Sequence, residues 1–240
     1  MTAAHHRKAR RRSDGDPLFY ERFASEFDSR MNPYEVSKRL RLIFDDVLSG
    51  EDLGGKRLLD AGCGTGLFSA AAVARGAVVT SMDLGENLLA QVAKKCASER
   101  VVGSVLDLPF SDSTFDVVLS TEVIEHSPDP RRAIAELGRV TAPGGRLVVT
   151  TPNRLWRPAI RFATKFRLRP YEGVENWIRW KDLRCWLADE GVRVVRLEGF
   201  NAVPFVHPSI YPLNDWLDRY GRSATGRFMI NMLAVAVKPE

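Results

Sequence analysis

One short stretch, Glu122-Val123-Ile124-Glu125-His126, sets two acids and a histidine close together. An imidazole titrates at about 6.5 when unperturbed, so His126 suits general-base work near neutral pH. Wound as a helical turn, the E-x-x-E-H spacing brings Glu122, Glu125 and His126 to one face at i, i+3 and i+4. Carboxylates beside an imidazole then suit a divalent cation such as Mg²⁺, which lowers the pKa of hydroxyls bound to it. A structural use competes with both, in which Glu125 and His126 hydrogen-bond the turn that follows.

A second group of residues reads as a ligand cradle. Residues 58–66 are L-L-D-A-G-C-G-T-G, an apolar run that breaks into Gly62, Gly64 and Gly66 before a helical pattern from Leu67. Glycines at such a break bring bare backbone against a nucleotide-like ligand. The spacing is not the G-x-G-x-x-G of dinucleotide folds, and it lacks the Lys-Ser/Thr of a phosphate loop. Asp83 and Asp107 end two further apolar runs. Asp83 suits the two hydroxyls of a ribose, and Asp107 the exocyclic amine of an adenine. A ribose and an adenine without a pyrophosphate describe S-adenosylmethionine.

The elements that must position these residues alternate regularly. Strands are predicted over 56–61, 77–82, 101–106, 115–120 and 146–150, with helices over 66–75 and 85–97. A further helix, opened by Asp129-Pro130, runs to about Val140. This is the pattern of an α/β, Rossmann-like, doubly wound sheet, whose ligands sit beyond the carboxyl ends of the strands. Asp83, Asp107, Glu122 and Thr151 collect at those ends with the glycine turn. Upstream, Phe19, Phe23 and Phe27 recur at i+4 along a predicted helix over 18–30, and Val36, Leu40, Ile43 and Val47 mark a second. These helices either cover the glycine turn as a lid or pack on the sheet.

Beyond Thr151 the rhythm breaks. Arg154, Arg157, Arg161, Lys165, Arg167 and Arg169 interleave with Trp156, Ile160, Phe162, Phe166 and Leu168. Such a segment (154–169) serves as a peripheral membrane contact, a site for an anionic substrate, or a solvated face over the sheet. A helix over 180–190, a strand over 192–197, a loop rich in Pro and aromatics, and a strand over 228–237 complete the chain. Trp156, Tyr171, Trp177, His207, Tyr211 and Trp216 are candidate walls for an acceptor.

Composition narrows the classes. Hydrophobic residues make up 45% and charged residues 27% of the 240, which is ordinary for a globular protein. No apolar run approaches the roughly 18 residues of a membrane span, and no apolar stretch follows the basic start as in a secretory signal. Cys63, Cys96 and Cys185 form neither a disulfide framework nor a zinc pattern, which fits a reducing cytoplasm. The pI of 9.3 comes from a tail over residues 1–15, expected to be disordered. Within it, residues 1–12 hold no acid, and their Arg7, Lys8, Arg10, Arg11 and Arg12 carry five charges, equal to the net +5 of the whole chain. The body is therefore neutral, which speaks against nucleic acid as a partner.

The segments L-L-D-A-G-C-G-T-G, S-M-D-L-G, D-L-P-F, F-D-V-V-L-S-T-E-V-I-E-H and A-E-L-G-R-V-T-A-P-G-G-R-L-V-V-T-T-P-N resemble a class I S-adenosylmethionine-dependent methyltransferase. Together they span residues 56–153. Met31-Asn32-Pro33, E-V-I-E-H-S-P-D-P and T-P-N-R add a similarity to the ubiquinone-biosynthesis O-methyltransferase type. The resemblance implies seven strands with the last antiparallel, an N-terminal helical lid (16–50) and an insertion after strand five. It implies acceptor-side elements over 153–179 and 200–225. It places Gly62, Gly64 and Gly66 at the methionine part of the cofactor with Asp60 nearby, Asp83 and Leu84 at the ribose, Asp107 and Leu108 at the adenine, and Thr121 at the end of strand four.

The implied activity is methyl transfer to a small molecule, at a hydroxyl of a quinone precursor, phenol, sugar or natural product, with His126 taking the proton. RNA or protein methylation and a non-catalytic S-adenosylmethionine-binding module are the alternatives. Two departures stand out. The type has a cofactor-contacting arginine soon after Asn-Pro, where this chain has Glu35, with Arg39 and Arg41 just beyond. Metal-binding relatives acting on RNA ends add a histidine after strand five, where this chain reads Thr151-Pro152-Asn153.

Overall fold

The computed structural model describes residues 18–159, 162, 176–203 and 207–240. The basic tail, most of the basic segment after Arg157 including Tyr171, and Pro204 lie outside the described residues.

Seven strands form one sheet, β1 (Arg57–Ala61), β2 (Val78–Asp83), β3 (Glu99–Val102), β4 (Phe115–Thr121), β5 (Thr141–Pro152), β6 (Arg193–Phe200) and β7 (Asn231–Val237). Their order is β3-β2-β1-β4-β5-β7-β6. β7 runs antiparallel to both neighbours, and the pairs from β3 to β5 are parallel. The expected architecture is therefore the observed one. β1 and β4 read as nearly unbroken apolar runs because both faces of the sheet are covered. Leu58, Val117 and Leu119 meet Ile43, Phe44 and Phe68 on one face, while Leu59 and Val118 meet Ile134, Leu137 and Leu183 on the other.

The covering helices are α1 (Phe27–Arg30), α2 (Pro33–Leu40), α3 (Leu67–Val73), α4 (Glu86–Lys95), α5 (Pro130–Val140), α6 (Trp180–Asp189) and α7 (Tyr211–Asp218). Asn32 caps α2 by accepting from the Tyr34 amide at 3.0 Å, and Asp129 caps α5 by accepting from the Arg132 amide at 3.1 Å.

The structure corrects the sequence reading in four places. The continuous helix expected over 18–30 is a 3-10 turn, Phe19–Phe23, followed after a break by α1. The second helix extends past α2 as π-type turns over Arg41–Val47. β3 lies earlier than expected, because Gly103 leaves the sheet and Ser104 bridges back to Asp107 in a tight turn. The aromatic stretch expected as loop contains α7, with Pro212 in its first turn, where a missing amide hydrogen costs nothing.

The two parts of the N-terminal region pack differently. Ile43, Phe44 and Leu48 belong to the core, whereas Phe27 lies 3.7 Å from where a Cβ of Gly64 would stand. Phe27, in the first part of the N-terminal region, lies over the glycine turn, and the second part packs on the sheet.

Candidate active site

The cradle is built by strand ends and close packing. Gly62 has φ +79° and Gly66 φ +83°, and a Cβ on them would lie 2.5 Å from Val123 and 2.9 Å from Val92 respectively. Only glycine fits that combination of left-handed backbone and contact. Gly62 thereby docks the turn after β4 directly onto the glycine turn. Gly64 presents its backbone to Phe27.

Asp83, at the end of β2, accepts the Gly64 amide at 2.9 Å and the Gly85 amide at 3.0 Å. Burial pushes its carboxyl up from the ordinary range; the amides of Gly85, Gly64 and Leu84 pull it down, and the charge of Glu21 adds an upward push. Leu84, beside it, is exposed. Asp60 is wholly buried beneath the turn, where it accepts the Ser69 hydroxyl at 2.6 Å. Burial lifts its carboxyl to about 6, against the Ser69 hydrogen bond.

Asp107 is exposed on the turn after β3. Leu108 is buried, and its amide donates to Glu136 at 2.7 Å. Thr121 ends β4, paired with Thr150.

The acids after β4 separate. Glu122 adopts φ +57° and turns toward β7 and α2, taking the Asn231 amide at 3.1 Å and lying 3.5 Å from Arg39. Burial pushes its carboxyl up, opposed by the Arg39 charge. Glu125 goes the other way, inward, where it is 1% exposed and accepts the Thr151 hydroxyl at 3.0 Å. Its other oxygen lies 3.9 Å from His126 Nε2, an ion-pair distance rather than a hydrogen bond. The predicted single face for Glu122, Glu125 and His126 is corrected accordingly. The turn is 3-10 only from Ile124, and the left-handed Glu122 sends its side chain elsewhere. Among the described residues, no group of three His, Cys, Asp or Glu could hold a metal ion.

Of the two arginines near the Asn-Pro step, Arg39 faces the site and is 5% exposed, while Arg41 is exposed. The proposed acceptor walls are scattered. Trp156 donates to the Phe228 carbonyl at 2.8 Å, Tyr211 stacks on Tyr34 at 3.7 Å, Trp216 packs on Tyr220, and His207 caps a surface turn. Trp177 is buried.

The segment before α2 supplies residues that the sequence pattern missed. The Tyr20 hydroxyl meets His126 Nε2 at 3.3 Å, and the two rings pack edge to face at 5.5 Å. Glu21 accepts the Asn87 amide at 3.1 Å, over the start of α4. Asp28 takes the Thr65 hydroxyl and pairs with Lys95. The i+4 spacing of phenylalanines pointed to a helical face carrying Phe19. A 3-10 turn has three residues per turn, so it is Tyr20 that shares a face with Phe23.

Residues 59–149 match the family described as a methyltransferase domain. The chain is 30% identical over 188 residues to a protein of Coxiella burnetii named ubiquinone biosynthesis O-methyltransferase, covering 73% of this chain and 79% of that one. A protein of the same name from Hahella chejuensis is 31% identical over 225 residues, covering 88% of each. A solved S-adenosylmethionine-dependent methyltransferase of Thermotoga maritima, described as a possible histamine N-methyltransferase, aligns with a TM-score of 0.68. It is 19% identical, with 91% of this chain and 98% of that chain covered, a likeness of fold alone.

Proposed function

The chain belongs to the S-adenosylmethionine-dependent methyltransferases, and on that premise we propose that it methylates a hydroxyl oxygen of a small molecule, foremost a phenol of the quinone-precursor kind. The bound cofactor supplies a methyl group on a sulfonium, already a good leaving group. The protein's task is then to align the acceptor and take its proton.

The residues fit that cofactor. Three left-handed glycines offer backbone without side chains, and Asp83 stands fixed by two amides with lone pairs to spare for a ribose. Arg39, held at the end of β4, is the cation for the carboxylate of the methionine part, in place of the arginine that Glu35 replaces.

The observation that carries the acceptor chemistry is the position of His126. Its turn is seated on Gly62 through Val123, and its ring is backed by the buried Glu125. A buried carboxylate beside the ring favours the imidazolium that proton uptake creates. The name carried by the relatives favours oxygen as the nucleophile.

The test is incubation with labelled S-adenosylmethionine and a panel of catechols, phenols, glycosides, RNA and peptides. Label is expected on a catechol or phenol hydroxyl. His126→Ala is expected to lower kcat by about 10² to 10⁴, the usual worth of a general base. Unchanged turnover in that variant would remove His126 from the reaction, and label on RNA or peptide would replace the acceptor class.

A further inference from the structure

We propose, on the reading of Asp83 as a ribose acceptor, that Glu21 is a further cofactor-binding residue. One oxygen of its carboxylate takes a ribose hydroxyl, and Asp83 takes the neighbouring one.

Glu21 is held in place by the helix it faces. The N-cap of α4 is Gly85, which has no side chain with which to cap it. Glu21 supplies the missing cap from a distant part of the chain, its Oε1 accepting the Asn87 amide at 3.1 Å. The other oxygen, Oε2, lies against Gly85, where a Cβ would collide with it. This oxygen is buried and meets no hydrogen-bond donor among the described residues. A buried carboxylate oxygen without a donor is costly, and a donor carried by a ligand removes that cost.

The same glycine ties Glu21 to Asp83. The Gly85 amide donates to Asp83 Oδ1 at 3.0 Å, so two carboxylates flank one residue. The Glu21 charge pushes the Asp83 carboxyl up, as a like charge at close range does. The other amide that holds Asp83 belongs to Gly64, against which Phe27 packs from the same segment. Both backbone supports of Asp83 are therefore in contact with residues 18–30. An anion is repelled from such a pair of acids, whereas a neutral group with two adjacent hydroxyls gives each acid one donor. The cis-diol of a ribose has that form. Amides already occupy both oxygens of Asp83, while Glu21 Oε2 has its whole capacity left. Sharing the diol satisfies the orphaned oxygen and sets donors between two like charges.

The test is calorimetry with S-adenosylhomocysteine and its 2′-deoxy and 3′-deoxy forms, on the wild type and on Glu21→Gln. The glutamine keeps an oxygen for the Asn87 amide and removes the charge. Glu21→Gln is expected to weaken S-adenosylhomocysteine about tenfold, in line with a hydrogen bond to a charged group. It is expected to weaken one deoxy ligand by the same factor and the other not at all, because the hydroxyl that Glu21 holds is then missing. Gly85→Ala, which pushes the oxygen aside and keeps its charge, is expected to give the same pattern. Unchanged affinity of Glu21→Gln for all three ligands overturns the proposal. So does an equal loss for all three, which makes Glu21 a cap of α4 only. Asp83→Asn is measured alongside. If it binds all three as the wild type does, the ribose reading of Asp83 fails and the proposal with it. If it loses affinity and Glu21→Gln does not, the assignment of Glu21 fails alone.

Discussion

The guanidinium of Arg39 lies 3.5 Å from the Glu122 carboxylate, with side-chain exposures of only 6% and 19%. Breaking such a buried pair from one side leaves a stranded charge, at a cost of about 3–5 kcal/mol. Arg39→Met is therefore expected to destabilise the ligand-free protein strongly in urea unfolding. The Glu122 carboxyl is already raised by burial, and losing Arg39 raises it further. A carboxyl raised in the folded state contributes stability at low pH that is lost as pH rises through the folded value. The defect should deepen with pH, and Glu122→Gln in the same chain should relieve it. A pH-independent loss would sink the argument.

The proposed role of Asp83 in donor binding has its own test. Asp83→Asn replaces an acceptor-only carboxylate with a group that points an N–H₂ at one of two backbone amides. Calorimetry with S-adenosylhomocysteine should show affinity at least about tenfold lower, roughly 1.4 kcal/mol. Because burial holds the wild-type carboxyl above its ordinary range, affinity should begin to fall above the pH at which a solvated aspartate would protonate.

Gly62→Ala tests the docking of the β4 turn on the cradle. The new methyl would stand 2.5 Å from both Val123 methyls, at a φ of +79°. The clash and the left-handed backbone should each lower the stability to unfolding, the latter by about 1–2 kcal/mol. Val123→Ala should recover the clash component and leave the backbone component. Failure of the double variant to recover any stability would mean that Val123 is not the obstacle.

Asp60 predicts an opposite dependence on removal of charge. Its carboxyl, ordinarily near 3.8, stands at about 6 in the folded protein. The folded state thus binds the proton more tightly, so the contribution is complete below the unfolded value and lost as pH rises through about 6. That rise corresponds to about 3 kcal/mol. Asp60→Asn should raise the melting temperature of the ligand-free protein at about pH 8 and leave it unraised at about pH 4. Equal shifts at both pH values would show that charge burial is not the cause.

Much of this was already written in the residue order. Largely apolar runs at β1 and β4, with Asp129-Pro130 before α5, determine an alternating sheet, because strands covered on both faces and capped helices leave local marks. The G-x-G-x-G turn, Asp83 and the acid-histidine cluster after β4 carry their chemistry in their own types and spacing. What the tertiary structure alone decided is the partner of each group. Glu122 and Glu125 look equivalent in the sequence, yet a left-handed backbone sends one to Arg39 and the other beneath His126. Leu108 loses its amide to Glu136, a residue 28 positions away. Tyr20 reaches His126 across 106 positions, through a turn whose period was 3.0 rather than 3.6. Periodicity reports which residues share a face of one element; it carries no information on which two faces meet. That depends on the packing of the N-terminal segment on the sheet, where side-chain volume and buried charge are satisfied together.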